Sequence, residues 1–267
     1  MGGTSGVWDP GQYLRYADER SRPFFDLLAR VRATAPKVVV DLGCGPGTLT
    51  RTLAERWPDA DVLGVDSSQE MITRAESENP FARLTYMCAD LRSWLPAEPP
   101  DVVVANAVFH WVPGHLELIG EIADRLASGG TLAFQVPDNF DSPSHTVIRD
   151  LRESPQWRDR LGADANPAAV ERPEVYGDAL AAAGLEPDVW QTTYLHRMTG
   201  DDPVLEWVKG TALRPVLTAL AGDEVASDEF LAQCAEGLRG AYPKGSDGVT
   251  VFPFRRTFAV GHAKAAA

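Results

Sequence analysis

Basic residues are scarce in this chain: 25 Lys and Arg stand against 38 Asp and Glu over 267 residues, for a formal net charge of −13. No run rich in Lys or Arg breaks that balance, which argues against a nucleic-acid partner, whose phosphates need a basic face. Cysteine is scarcer still. Cys44, Cys88 and Cys234 are odd in number and far apart, a spacing without metal-ligand character, and they read as free thiols of a reducing compartment. Long apolar runs are also missing, because the longest, residues 102–105 extending through Ala107 to Phe109, falls far short of a bilayer span. The opening MGGTSGVWDP has no basic segment followed by an apolar one, so no signal peptide is expected, and residues 1–6 read as a disordered or tag-derived tail. The expectation is a cytoplasmic protein with no membrane or nucleic-acid partner, no implied protein partner and no metal.

What is present is a core-forming α/β sequence, 44% hydrophobic, enough for a single domain over residues 7–267. Its organising stretch is residues 38–47, VVVDLGCGPG. Val38, Val39 and Val40 have the continuous apolar character of a strand covered on both faces, as a parallel sheet requires. Gly43, Gly45 and Gly47 follow in G-x-G-x-G spacing, and without a Cβ they let a ligand approach the backbone where the next helix offers its free N–H groups. Residues 43–50 contain no lysine, which speaks against a P-loop. The third glycine falls at 47 rather than 48, against the dinucleotide fingerprint of a nicotinamide oxidoreductase. Asp41 at the mouth of the loop would repel a pyrophosphate but suits an ammonium group. The cofactor that matches is S-adenosylmethionine, which carries an amine and a cationic sulfonium.

Strands at 37–42, 61–66, 83–90, 101–107 and 131–139 alternate with helices at 48–56, 69–78 and 115–127, the rhythm of a Rossmann-like, doubly wound, mostly parallel sheet. Strands at 188–198 and 249–263 bring the sheet to seven, the last suiting an antiparallel hairpin partner at the sheet edge. Asp66 ends its strand about 20 residues past the glycine loop, where a carboxylate accepts both hydroxyls of an adenosine ribose; alternatively it caps the next helix together with Ser67 or Ser68. Asp90 suits an adenine amine, with Met71 or Leu91 covering the ring. Ser67 and Asn106 are further cofactor-binding candidates, and Asn106, with the substrate candidates His110 and Trp111, lies in or beside the loop expected to face the reactive sulfur. A further helix is expected from Arg22 or Pro23, and Arg22, with Tyr13 and Tyr16, is a candidate for a lid on the cofactor. Residues 8–32 and the helical insertions at 138–172 and 201–240 are expected to form a helical cap.

VVVDLGCGPG, with GVDSS at 64–68, CADLRSW at 88–94, ANAVFHWV at 105–112 and GGTLAFQ at 129–135, resembles the class I S-adenosylmethionine-dependent methyltransferases. WDPGQYLRYADERSRPFFDLLARV at 8–31, AFQVPDN at 133–139, DVWQTTYLHRM at 188–198 and WVKGTALRP at 207–215 are more particularly similar to the trans-aconitate 2-methyltransferases, from about Val7 to His262. The resemblance implies methyl transfer to a carboxylate of trans-aconitate, giving a monomethyl ester and S-adenosylhomocysteine. His110 is a departure, at a position where Gln is more familiar in that family. A carboxylate is already an anion at neutral pH, so no general base is required and catalysis is expected to be positioning alone, with His110 and Trp111 nearest the chemistry. Holding a tricarboxylate calls for cations: Arg197, Lys209, Arg214, Arg255 and Arg256 are the candidates, with Tyr194, His196 and Thr211 as hydrogen-bond donors. The alternatives are a methyltransferase of the same fold acting on another small acid or a natural-product hydroxyl, which would need His110 or His196 as base, and a non-catalytic cofactor-binding protein.

Overall fold

In the computed structural model the described residues are 17–162 and 170–264. Seven strands run in the order β3-β2-β1-β4-β5-β7-β6, with β1 at Val38–Leu42, β2 at Asp61–Asp66, β3 at Leu84–Cys88, β4 at Val102–Asn106, β5 at Thr131–Pro137, β6 at Glu186–Met198 and β7 at Thr250–His262. The first five pair in parallel, and β7 runs antiparallel to β5, from Thr131↔His262 to Pro137↔Arg256. Burial explains the valine-rich strands: β4 is buried at Val102, Val103, Val104 and Ala105, whereas β3, at the sheet edge, alternates and is largely exposed. β7 lies between β5 and β6, so β6 forms the other edge.

Several boundaries differ from the sequence expectation, three of them for a clear physical reason. The first helix spans Ala17–Leu28 with Pro23 inside it, since proline's fixed φ is helical and its cost is chiefly one missing N–H and local crowding. The third strand stops at Cys88, because its partner β2 ends at the Asp66↔Cys88 pair; Asp90 therefore sits in the following turn. The helix starting at His115 ends at Ala123, where Arg125 and Leu126 switch to bonds three residues back, to the carbonyls of Ile122 and Ala123.

The described residues form two compact units. One holds residues 20–137, 170–192 and 256–264, with a core of β-strand valines and Phe109, Phe134, Leu118, Ile119, Tyr176 and Leu180. The other holds 17–19, 138–162 and 193–255 and is chiefly helical: Pro143–Glu153, Arg158–Leu161, Pro203–Lys209, Arg214–Ala219 and Glu224–Ala241. Trp157, Trp207, Phe230, Phe252 and Leu213 form its separate core. Burying each such side chain contributes about 1.5–3 kcal/mol, so each unit has its own apolar centre. Asp223 caps the long Glu224–Ala241 helix, accepting from the Ala226 N–H at 3.0 Å. Among the described residues no helix is long and apolar enough to cross a membrane.

Candidate functional site

The glycine loop joins β1 to the helix Thr48–Arg56. Gly43 (φ +66°) has no room for a side chain, since a Cβ there would meet Val108 Cγ2 at 1.8 Å. The segment after β4 thus packs directly onto the loop. Gly45 (φ +54°) is the reverse case, with no atom within 4 Å of where its Cβ would stand. Open space over its backbone suits close approach by a ligand. Gly47, the N-cap, supplies no side chain to the helix start, which leaves first-turn N–H groups for a ligand or water. The Gly43 and Cys44 N–H groups both donate to the Val65 carbonyl, at 2.7 and 3.0 Å, tying the loop to β2.

Two carboxylates border the loop. Asp66 Oδ2 accepts the Gly45 N–H and Oδ1 the Ser68 N–H, both at 2.9 Å. These bonds fix its orientation, and each oxygen keeps a further lone pair for a hydroxyl. Asp41 is 3% exposed, and its Oδ2 accepts from Thr50 Oγ1 at 2.6 Å. Burial pushes its pKa up to about 7 against the Thr50 bond, with the Asp66 charge adding to the rise. An ammonium group placed beside Asp41 would offset that burial.

The adenine-side candidates are less uniform. Leu91 is buried, Met71 half-buried and Ser67 exposed. Asp90 is gripped by the Arg92 guanidinium, with Nε 3.0 Å from each carboxylate oxygen and a second nitrogen on Oδ2. That fork and the Arg92 N–H hold its pKa down to about 2. In this structure Asp90 serves Arg92.

The segment after β4 gathers Asn106, His110 and Trp111. Ala107 has φ 57°, alone among the described non-glycine residues in being positive, a strained point of the kind that clusters at functional sites. His110 is 5% exposed. Burial, with the nearby Arg256 and His115 charges, lowers its pKa to about 3, so its imidazole is neutral at working pH and a poor base. Trp111 is 56% exposed, its ring 4.7 Å from that of His110. Beneath them lies a chain that sequence reasoning missed: Arg256 Nη1 donates to Gln135 Oε1 at 3.0 Å, and Gln135 Nε2 donates to Asn106 Oδ1 at 2.6 Å.

Tyr194, His196, Arg197, Lys209, Thr211, Arg214 and Arg255 belong to the other unit. Arg255 bonds both Asp138 and Asp141, Arg197 bonds Asp247 at 2.7 Å, and Lys209 bonds Glu206 at 2.6 Å. Thr211 Oγ1 donates to the Val208 carbonyl at 3.5 Å. Tyr194 is buried, and its ring stacks with that of His196 at 6.3 Å. Arg214 is half-buried at the start of its helix. Arg22 is exposed, 3.8 Å from Asp26, while Tyr13 and Tyr16 lie outside the described residues.

The open face over Gly45, the fixed Asp66 carboxylate and buried Asp41 fit a ligand with a diol and an amine, as S-adenosylmethionine has. Comparison with known proteins agrees with that fit. A family model described as "Methyltransferase domain" matches residues 13–188. The trans-aconitate 2-methyltransferase of Streptomyces avermitilis is 54% identical over 97% of both chains, and that of Streptomyces coelicolor is 51% identical over 97% of this chain and 88% of its own. Among solved structures, the YcgJ protein of Bacillus subtilis superposes with a TM-score of 0.60 at 16% identity, covering 92% of this chain and 99% of its own, a likeness of fold. The chain belongs to the methyltransferase family that this domain defines and, within it, to the trans-aconitate 2-methyltransferases.

Proposed function

We propose that this protein transfers a methyl group from S-adenosylmethionine to a carboxylate of trans-aconitate, giving the monomethyl ester. The observation that carries the reading is the 54% identity, over nearly the whole of both chains, to a protein of that name. The cofactor supplies an electrophilic methyl on a sulfonium; a C–O bond forms as the C–S bond breaks, and the bond pair stays on sulfur. The chain's own contribution is placement. Asp66, fixed by two backbone N–H groups, receives the ribose diol, the open backbone at Gly45 admits the cofactor, and Asp41 receives its ammonium. Holding nucleophile and methyl in near-attack geometry can contribute about 7–11 kcal/mol.

The electrostatics suit a carboxylate acceptor. A hydroxyl would call for a base near pH 7, and His110, with its pKa near 3, does not supply one. A carboxylate needs none. A cytoplasmic location belongs to the same reading, supported by three free cysteines. Incubation with methyl-labelled cofactor and a panel of di- and tricarboxylic acids tests it. Label is expected in an ester of trans-aconitate; label only in another acid or in a hydroxyl compound would replace this substrate, and none at all would remove the activity.

A further inference from the structure

The buried chain Arg256–Gln135–Asn106 has only one possible polarity. A guanidinium has donors and no acceptor, so the Gln135 atom 3.0 Å from Arg256 Nη1 must be its oxygen. The other end of the Gln135 amide is then the NH2 group, which can only donate, and the Asn106 atom 2.6 Å away must be the Asn106 oxygen. This assignment of both amides follows from the arginine, where otherwise oxygen and nitrogen would be interchangeable. Gln135 is 1% exposed and Arg256 7%, so water does not compete strongly for these bonds. What remains of Asn106 is its NH2 group, which no described residue accepts from. Asn106 is the last residue of β4, half-buried at the carboxyl end of the sheet, the edge where open α/β sheets bind ligands. Its neighbour Ala107 holds the strained positive φ, and Val108 fills the space against Gly43.

We propose that Arg256, acting through Gln135, locks the Asn106 amide with its NH2 group outward as a donor to a carboxylate: the non-attacking oxygen of the methyl acceptor, or the carboxylate at the amino-acid end of the cofactor. Asn106 is the contact, and Gln135 and Arg256 are positioning residues. The arrangement uses the charge of Arg256 at a distance, turning a buried cation into a correctly oriented neutral donor. The proposal rests on the methyl-transfer reading, and turnover of trans-aconitate by the unaltered protein is measured first; its absence would count against that reading, while cofactor-product binding still reports on the relay.

Gln135→Glu is the discriminating change. It keeps the side chain's size and still accepts from Arg256, yet its second oxygen can only accept, so the Asn106 amide must turn, giving NH2 inward and presenting oxygen to the ligand. Asn106→Asp reaches the same outward polarity while preserving the bond from Gln135, and so serves if the first variant folds poorly. Loss of a hydrogen bond to a charged group is expected to raise KM for trans-aconitate about 10–100-fold in both, at an unchanged melting temperature. An equal weakening of S-adenosylhomocysteine binding, with KM for the acid unmoved, assigns the same donor to the cofactor's carboxylate. A merely structural role would lower the melting temperature and leave both affinities within about twofold of wild type, and that result would overturn the proposal.

Discussion

With the cofactor's ammonium beside Asp41, as proposed, binding is expected to release a proton. In the ligand-free fold its pKa stands near 7, raised by burial, so at pH 6 it is mostly protonated. An ammonium beside it favours the ionised form and draws the pKa back toward about 4. Binding at pH 6 should therefore release about 0.9 proton, and affinity should rise by about two orders of magnitude from pH 5 to pH 8 before levelling. Titration calorimetry of S-adenosylhomocysteine in buffers of different ionisation enthalpy measures both quantities. Asp41→Asn should abolish the proton release and flatten the pH dependence. The same shift acts on stability in the ligand-free protein: a carboxyl whose pKa is raised on folding contributes stability fully present below about pH 4 and lost as pH rises through about 7. Binding without proton release, and with equal affinity at pH 5 and 8, would refute the assignment of Asp41 to the ammonium.

Gly43→Ala combines a positive φ with a Cβ 1.8 Å from Val108, and should cost about 2–5 kcal/mol in denaturant unfolding and abolish cofactor binding; adding Val108→Ala should recover the part due to the clash. His110→Gln should leave the shape of the pH–rate profile unchanged between about pH 6 and 8.5, because the imidazole is neutral throughout; loss of a limb of that profile would show it acting as a base. Arg214→Met and Arg255→Met should each raise KM for trans-aconitate several-fold with S-adenosylhomocysteine affinity unmoved, and unchanged kinetics would remove that residue from substrate recognition.

What could be read in the sequence was local. The glycine loop, Asp41 and Asp66 fall within 26 positions, and their meaning depends on strand-turn-helix geometry that composition announces. The doubly wound order followed from the alternation of valine-rich strands and helices. Asp90 lies in the turn just past β3, and its bonds to Arg92, two residues on, are not legible in the spacing, because nothing there shows that a carboxylate will also bond its neighbour. The relay behind Asn106 was invisible for a different reason. It joins positions 106, 135 and 256, which meet only because β5 pairs with β4 on one side and β7 on the other. Pairing was likewise not legible from charge: Arg197, Lys209 and Arg255, the candidate cations for an anion, each also bond a carboxylate of the fold.

The most direct measurement of the proposed activity is mass spectrometry of the product formed from trans-aconitate and S-adenosylmethionine bearing a trideuterated methyl. The account predicts one trideuteromethyl group per acid, carried as an ester that alkali removes, formed in step with S-adenosylhomocysteine. S-Adenosylhomocysteine release without esterified acid, or label in a position that alkali leaves intact, would contradict it.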